Sequence, residues 1–144
     1  MIIQVVAAII TSIGFGIIFN IRGKNLIHTG IAGGISWAVY LLGKSYELSD
    51  GTTYFFATLS LSIYSEMIAR KIKTPVTAII IAALIPLAPG GGIYYTMYNI
   101  IEKNYSQAIE KGFNTFVIAS AMAMGIFIAA NFVKVLDKIL KKIG

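Results

Sequence analysis

Charged residues fall along this chain in a few short clusters, with long uncharged stretches between them. Met1 to Ile21 carries no charge and ends at Arg22 and Lys24. Asn25 to Gly43 holds only the titratable His28 and ends at Lys44, Glu47 and Asp50. Gly51 to Ala69 is interrupted once, by Glu66, and closes at Arg70, Lys71 and Lys73. Thr74 to Ile101 is uncharged throughout, and Gly112 to Val133 is the last such stretch before Lys134, Lys138, Lys141 and Lys142. A helix rises about 1.5 Å per residue, so roughly 20 apolar residues cross a hydrocarbon core about 30 Å thick. The pattern predicts an all-α, polytopic membrane helix bundle of five transmembrane segments in one domain, 1–144. The spans are expected near residues 2–20, 26–43, 51–69, 74–87 and 112–133.

The fourth stretch is the irregular one. As a single helix, 74–101 would be about 42 Å long, too long for the core without strong tilt. It also contains Pro86, Pro89 and the run Gly90, Gly91, Gly92, which a straight helix does not tolerate. A span ending near Leu87 is expected, then a tight break, then a short interfacial or re-entrant helix over 93–102.

Loop charges set an orientation. Nine of the twelve basic residues lie in the clusters at 22–24 and 70–73 and in the tail from 134. Basic residues collect on the cytoplasmic side, which places the N-terminus outside and the C-terminus inside. Val133, Leu136 and Leu140, interleaved with Lys134, Lys138 and Lys141, fit an amphipathic, interfacial end to the last helix. The first stretch lacks a basic leader and resembles the later ones, so it reads as a span and not as a cleaved signal.

Composition agrees with the charge pattern. Of 144 residues, 57% are apolar and 12% charged, with mean hydropathy +0.79; soluble domains carry about 25% charged residues. The net charge of +6 follows from basic loops and does not call for nucleic acid. Without cysteine and with one histidine, thiolate chemistry and a histidine-based metal site are excluded. No nucleophile–histidine–acid set is present, and Gly90–Gly92 lacks the Lys-Ser/Thr of a phosphate loop. The chain therefore reads as neither an enzyme nor an ATPase, with no cofactor and no metal.

Several residues are candidates for chemistry. Prolines end the helix before the break, and glycines allow close approach to the backbone. A helix starting near Ile93 offers free amide groups to a carboxylate, and Thr96 and Asn99 add polar contacts to such a ligand. On the third span, Thr58, Ser62 and Ser65 share one helical face, with Glu66 beside them. They form either a polar path or interhelical contacts. Glu66 is a candidate coupling acid, and Arg70, four residues on, offers it an ion pair instead. The small residues Gly30 and Gly34, Ala119 and Ala123, and Ala121 and Gly125 are spaced by four, which suits close helix packing.

Three segments resemble the small, membrane-only subunit of the threonine/serine exporter family: Gly14-Phe15-Gly16-Ile17-Ile18-Phe19-Asn20, the turn into the second span with Gly30 and Gly33-Gly34, and Ile85-Pro86-Leu87-Ala88-Pro89-Gly90-Gly91 followed by Tyr95-Thr96-Met97. The resemblance implies a secondary exporter of threonine and serine, or of a dicarboxylate such as succinate, in a prokaryotic cytoplasmic membrane. Fused members join a large and a small half into ten spans. This chain is similar to the small half alone, so a separately encoded larger membrane subunit is the implied partner, with a homo-oligomer instead or in addition. The resemblance points to Pro86, Pro89, Gly90 and Gly91 as shaping a site or gate, and to Asn20 as a matching polar position. The alternatives are a non-transporting scaffold for the larger subunit, or a small channel lined by the third span.

Overall fold

The structure is a computed structural model that describes the backbone of residues 1–143 and the side chains of residues 1–139. Among the described residues it is all helical: α1 (Ile2–Ile18), α2 (Lys24–Ser45), α3 (Asp50–Lys71), α4 (Thr77–Ala83), a 3-10 turn (Ile85–Leu87), α5 (Gly90–Ile101) and α6 (Tyr105–Ile143).

Helix ends follow from local chemistry. Ser49 caps α3 by accepting from the Thr52 amide at 3.3 Å, the role a short hydroxyl serves at a helix start. Four helices close with a left-handed residue that is not glycine: Asn20, Glu47, Lys73 and Lys103, with φ between 54° and 60°. Each closure makes the same pair of backbone bonds, for example Lys73 N to Arg70 O and Thr74 N to Ala69 O. This is the closure usually given to glycine. Here the turns take polar residues where the chain reverses.

Close contacts fix the packing order. α1 and α2 are antiparallel, with the glycines of α2 against α1. A methyl added at Gly30 would lie 2.8 Å from Ile13, and one at Gly34 2.7 Å from Ile9. α2 and α3 are antiparallel, joined near one end by His28 Nδ1 and Tyr64 Oη at 2.8 Å. Near the other end, Tyr40 stacks edge-on against Tyr54. α3 and α6 run parallel: Gly51 meets Val117, Thr58 meets Gly125, and Arg70 pairs with Asp137. α5 returns antiparallel along the first half of α6, with Gly92 against Thr115 and Gly112 against Thr96. The core comprises Ala32, Ala57, Leu61, Ile79, Leu87, Ile118 and Met122, drawn from α2, α3, α4, the 3-10 turn and α6.

The five-span expectation is overturned. Among the described residues, two helices are long and apolar enough to cross a membrane: α2, and α6 over Tyr105–Ile139. A third is added if Thr77–Leu87 and Gly90–Ile101, bent by 53°, count as one broken span. The reasons are physical. At 17 residues, α1 extends only about 25 Å. α3 has the length, 22 residues, but carries Asp50, Glu66, Arg70, Lys71 and six serine or threonine hydroxyls. α4 holds only 7 residues. The expected outside N-terminus and cytoplasmic C-terminus rest on five alternating spans, and the two or three helices that qualify among the described residues do not define an orientation. In the amphipathic tail, the side chains of Leu140, Lys141 and Lys142 lie outside the described residues.

Candidate functional site

The break between α4 and α5 is where the fold departs furthest from a packed bundle. Pro86 sits in the 3-10 turn and lacks the N–H needed to continue a helix. Leu87 anchors the turn in the core at 1% exposure. Pro89 is the N-cap of α5, and no side chain caps that helix start. The first turn of α5 is Gly90-Gly91-Gly92, three residues earlier than the helix start expected near Ile93.

The three glycines differ in their surroundings. A methyl group at Gly92 would run into the Thr115 side chain, 3.2 Å from its Cβ and closer still to its hydroxyl. At Gly90 and Gly91 nothing lies within 4 Å. Neither has a positive φ, since the left-handed glycine is Gly23. Gly92 thus serves the contact of α5 with α6. The Gly90 amide donates to Ala88 O at 2.7 Å, which leaves the Gly91 and Gly92 amides uncapped at a helix start, where negative charge is favoured.

A cavity of about 320 Å³ lies on one side of the break, lined by Gln4, Ala7, Ala8 and Thr11 of α1, by Trp37 of α2 and by Pro86. The indole Nε1 of Trp37 is buried without a hydrogen-bond partner. Such a donor costs stability unless something accepts from it. On the other side, a second cavity of about 280 Å³ lies between α5 and α6, beside Ile93, Thr96, Gly112 and Thr115. Its hydroxyls are committed locally: Thr96 donates to Gly92 O and Thr115 to Lys111 O, each at 2.7 Å. Asn99 is buried and donates to Tyr95 O at 2.7 Å. The Thr96 hydroxyl and one Asn99 N–H are therefore spent on their own helix.

The polar positions of α3 form a separate group. Thr58, Ser62 and Ser65 are fully buried, and Glu66 is 8% exposed. Thr58 donates to Tyr54 O at 2.9 Å and to Phe55 O at 3.0 Å, the usual behaviour of a hydroxyl inside a helix. The hydroxyls of Ser62 and Ser65 have no partner. None of these residues lines either cavity at the break. Glu66 accepts from Arg70 Nη2 at 3.2 Å. Arg70 also pairs with Asp137 and donates to Val133 O at 3.4 Å. One guanidinium thus ties two turns of α6 to the end of α3. Asn20 lies far from both groups along the chain, in the α1–α2 turn, where its side chain accepts from Arg22 Nε at 2.9 Å.

Sequence reasoning missed four contributors: Gln4, Thr11, Trp37 and Asp137. Gln4 and Thr11 sit on an otherwise apolar helix, and Trp37 reads as an ordinary aromatic. Only the packing of α1 and α2 against Pro86 brings them together. Asp137 is separated from Arg70 by 67 positions, and no periodicity links the two. Among the described residues, no group of three or more His, Cys, Asp or Glu side chains is arranged to hold a metal ion.

Outside the helices that qualify as spans, the Asp50 carboxyl is held below its usual range, mainly by the hydrogen bond from the Lys44 ammonium and in smaller part by Asn114, against a desolvation that raises it.

Comparison with known proteins gives the break its context. The family model described as "Threonine/Serine exporter, ThrE" matches residues 4–132, which includes α1 to α5 and most of α6. A curated relative from Haemophilus influenzae, named only "Uncharacterized protein", is 24% identical over 127 residues, covering 83% of this chain and 43% of its own length. The chain spans less than half of that relative. No solved structure is significantly similar. With a match over almost its whole length, the chain belongs to the threonine/serine exporter family.

Proposed function

We propose that the chain is a small membrane subunit of a secondary exporter that moves threonine, serine or a related small carboxylate, and that it works with a larger subunit of the same family. The observation that carries this reading is the bent α4–α5 pair, with its uncapped first turn at Gly90 and Gly91. Broken helices whose amino ends face a ligand carboxylate are a recurring transporter device. The open space at Gly90 and Gly91 lets a carboxylate reach the uncapped Gly91 and Gly92 amides without displacing a side chain. Pro86 holds the bend, and the free Trp37 Nε1 beside it is a second donor near the same break. Thr96 and Asn99 lie further along α5, each donating one hydrogen bond to its own backbone. The sequence holds no nucleotide-binding loop, so a gradient of ion or substrate drives the transfer.

The test is efflux of labelled threonine, serine and succinate from vesicles containing the chain, with and without the larger subunit. Gly91→Leu fills space that is empty in the fold. It is expected to leave thermal stability unchanged within about 1 kcal/mol while cutting flux at least tenfold. Wild-type flux in the Gly91→Leu protein removes the break from the transport path. Absence of flux for all three substrates in both reconstitutions, with folded protein confirmed, refutes the exporter reading.

A further inference from the structure

The end of the bundle opposite the α5–α6 turn carries a feature that the break does not use. A cavity of about 550 Å³ lies between the α1–α2 turn and the start of α4. A neighbouring one of about 460 Å³ shares Asn20, Ile21 and Arg22 with it. Arg22 is exposed and makes none of the ion pairs found among the described residues, in contrast to Arg70, which has two carboxylate partners. Its Nε is bound to Asn20 Oδ1 at 2.9 Å. That bond orients the guanidinium and leaves both terminal amino groups free. Asn20 holds a left-handed φ of 60°, a conformation asparagine tolerates better than most residues.

Among the described residues, Arg22 is the one charged residue on the cavity wall. No aspartate or glutamate precedes Glu47. Asn25 Nδ2 donates to Thr74 Oγ1 at 2.9 Å and pins the turn holding Arg22 and Lys24 to the turn holding Lys71 and Lys73. The cavity wall adds Asn25 and Thr77 as neutral polar groups. Its rim is apolar: Phe19 is 46% exposed and Ile81 52%. A fixed, unpaired guanidinium beside neutral polar groups suits an oxyanion. An exposed apolar rim next to it suits a ligand whose anion continues into hydrocarbon. A free amino acid has no such tail, and its ammonium would find no carboxylate on the cavity wall.

We propose that this cavity binds the phosphodiester headgroup of an anionic phospholipid, with Arg22 as the main ligand, Asn20 as the residue that positions it, and an acyl chain lying against Phe19 and Ile81. Basic pockets between membrane helices recognise headgroups in this way. The site is separate from the break and stands whether or not the break carries substrate.

Native mass spectrometry of the detergent-solubilised full chain tests it, with phosphatidylglycerol and phosphatidylcholine of the same acyl chains titrated in parallel. Wild type is expected to retain phosphatidylglycerol about tenfold more tightly than phosphatidylcholine. Arg22→Gln should abolish the preference, and Arg22→Lys should keep part of it. Asn20→Gly preserves the left-handed turn but frees the guanidinium, and should weaken the preference severalfold. Thermal melts of each variant confirm folding. Equal retention of the two lipids by wild type, or an unchanged preference in a folded Arg22→Gln protein, overturns the proposal. Displacement of the bound lipid by millimolar inorganic phosphate would show that the anion alone is recognised and would overturn the lipid assignment. Displacement by threonine or succinate would make the cavity a substrate site and would overturn it as well.

Discussion

Replacing Gly125 with alanine should destabilise the protein, although the change improves the intrinsic helix propensity of α6. Gly125 is buried where α6 meets α3. A methyl group there would stand 2.8 Å from the carbonyl oxygen of Phe55 and 3.1 Å from the amide nitrogen of Leu59, with the Thr58 hydroxyl nearer still. Two of these three neighbours are backbone atoms and cannot rotate away, so the helices must move apart by several tenths of an ångström. That shift loosens the parallel seam on both sides, where Ile118, Met122, Ala129 and Val133 are buried. Overpacking of this kind costs about 1–3 kcal/mol, and the propensity gain of alanine over glycine returns about 1 kcal/mol. The net loss is up to about 2 kcal/mol, or a melting temperature lower by as much as roughly 6 °C in a common detergent. Gly14 is the matched control: it lies within α1 with nothing inside 4 Å, so Gly14→Ala should raise the melting temperature. Thr58→Ala in the Gly125→Ala background removes the nearest atom but not the Phe55 carbonyl, and should rescue only part of the loss in a double-mutant cycle. If Gly125→Ala is as stabilising as Gly14→Ala, the helices do not touch at backbone distance and the parallel α3–α6 seam is wrong.

Two further outcomes follow from the ionic contacts. Arg70→Gln removes the partner of both Glu66 and Asp137 and leaves Glu66 nearly buried; it should cost about 1–3 kcal/mol in thermal or denaturant unfolding, and Glu66→Gln in the same background should recover part of that. The Asp50 carboxyl has a lowered folded-state pKa, so its contribution is full above the unfolded value near 3.8 and is lost as pH falls through the folded one. A melt series from pH 6 to pH 2 should therefore show an acid-side loss that is smaller in Lys44→Met, and identical profiles for the two proteins would refute that role for the pair.

Much of the helical framework was legible because charge clusters and turns coincide. The clusters at Arg22 and Lys24, at Lys44 to Asp50 and at Arg70 to Lys73 each fall at a helix boundary. The positions that reverse the chain there prefer solvent. Span number was not legible by the same route. An uncharged stretch shows that nothing forbids burial in lipid; it does not show that the helix is long enough or apolar enough all round. α1 misses on length, and α3 misses on composition, because six serine or threonine hydroxyls and the charges of Asp50, Glu66, Arg70 and Lys71 make it too polar. The break was visible in Pro86, Pro89 and the glycine run, because two prolines constrain the backbone wherever they fall. The cavity beside it was not visible, since Gln4, Thr11, Trp37 and Pro86 come from three parts of the sequence. The same limit hid Asp137: a spacing of four joins Glu66 to Arg70, while the pairing with Asp137 exists only once α3 and α6 lie parallel.

The glycines divide by what surrounds them. Gly30, Gly33 and Gly34 on α2 and Gly125 on α6 each face a neighbour that an added methyl would strike, so packing within the chain accounts for them. Gly23 has a φ of 62°, so conformation accounts for it. Gly14, Gly90 and Gly91 fit neither account, since their φ values are not positive and their surroundings are empty; Gly90 and Gly91 differ from Gly14 in standing at the uncapped start of a helix. Glycine in the first turn of a helix lowers stability relative to alanine without any gain inside this fold. On the proposed reading, what it gains is open access to the Gly91 and Gly92 amides. That is the condition a carboxylate ligand or a closely docked helix would set, and the two make opposite demands on size. A carboxylate needs bare N–H groups and tolerates a methyl at Gly90 or Gly91 if the amides stay accessible; a docked helix needs the absence of the methyl itself. Alanine at both positions therefore divides the two cases more sharply than leucine, with flux retained for the first and lost together with subunit association for the second.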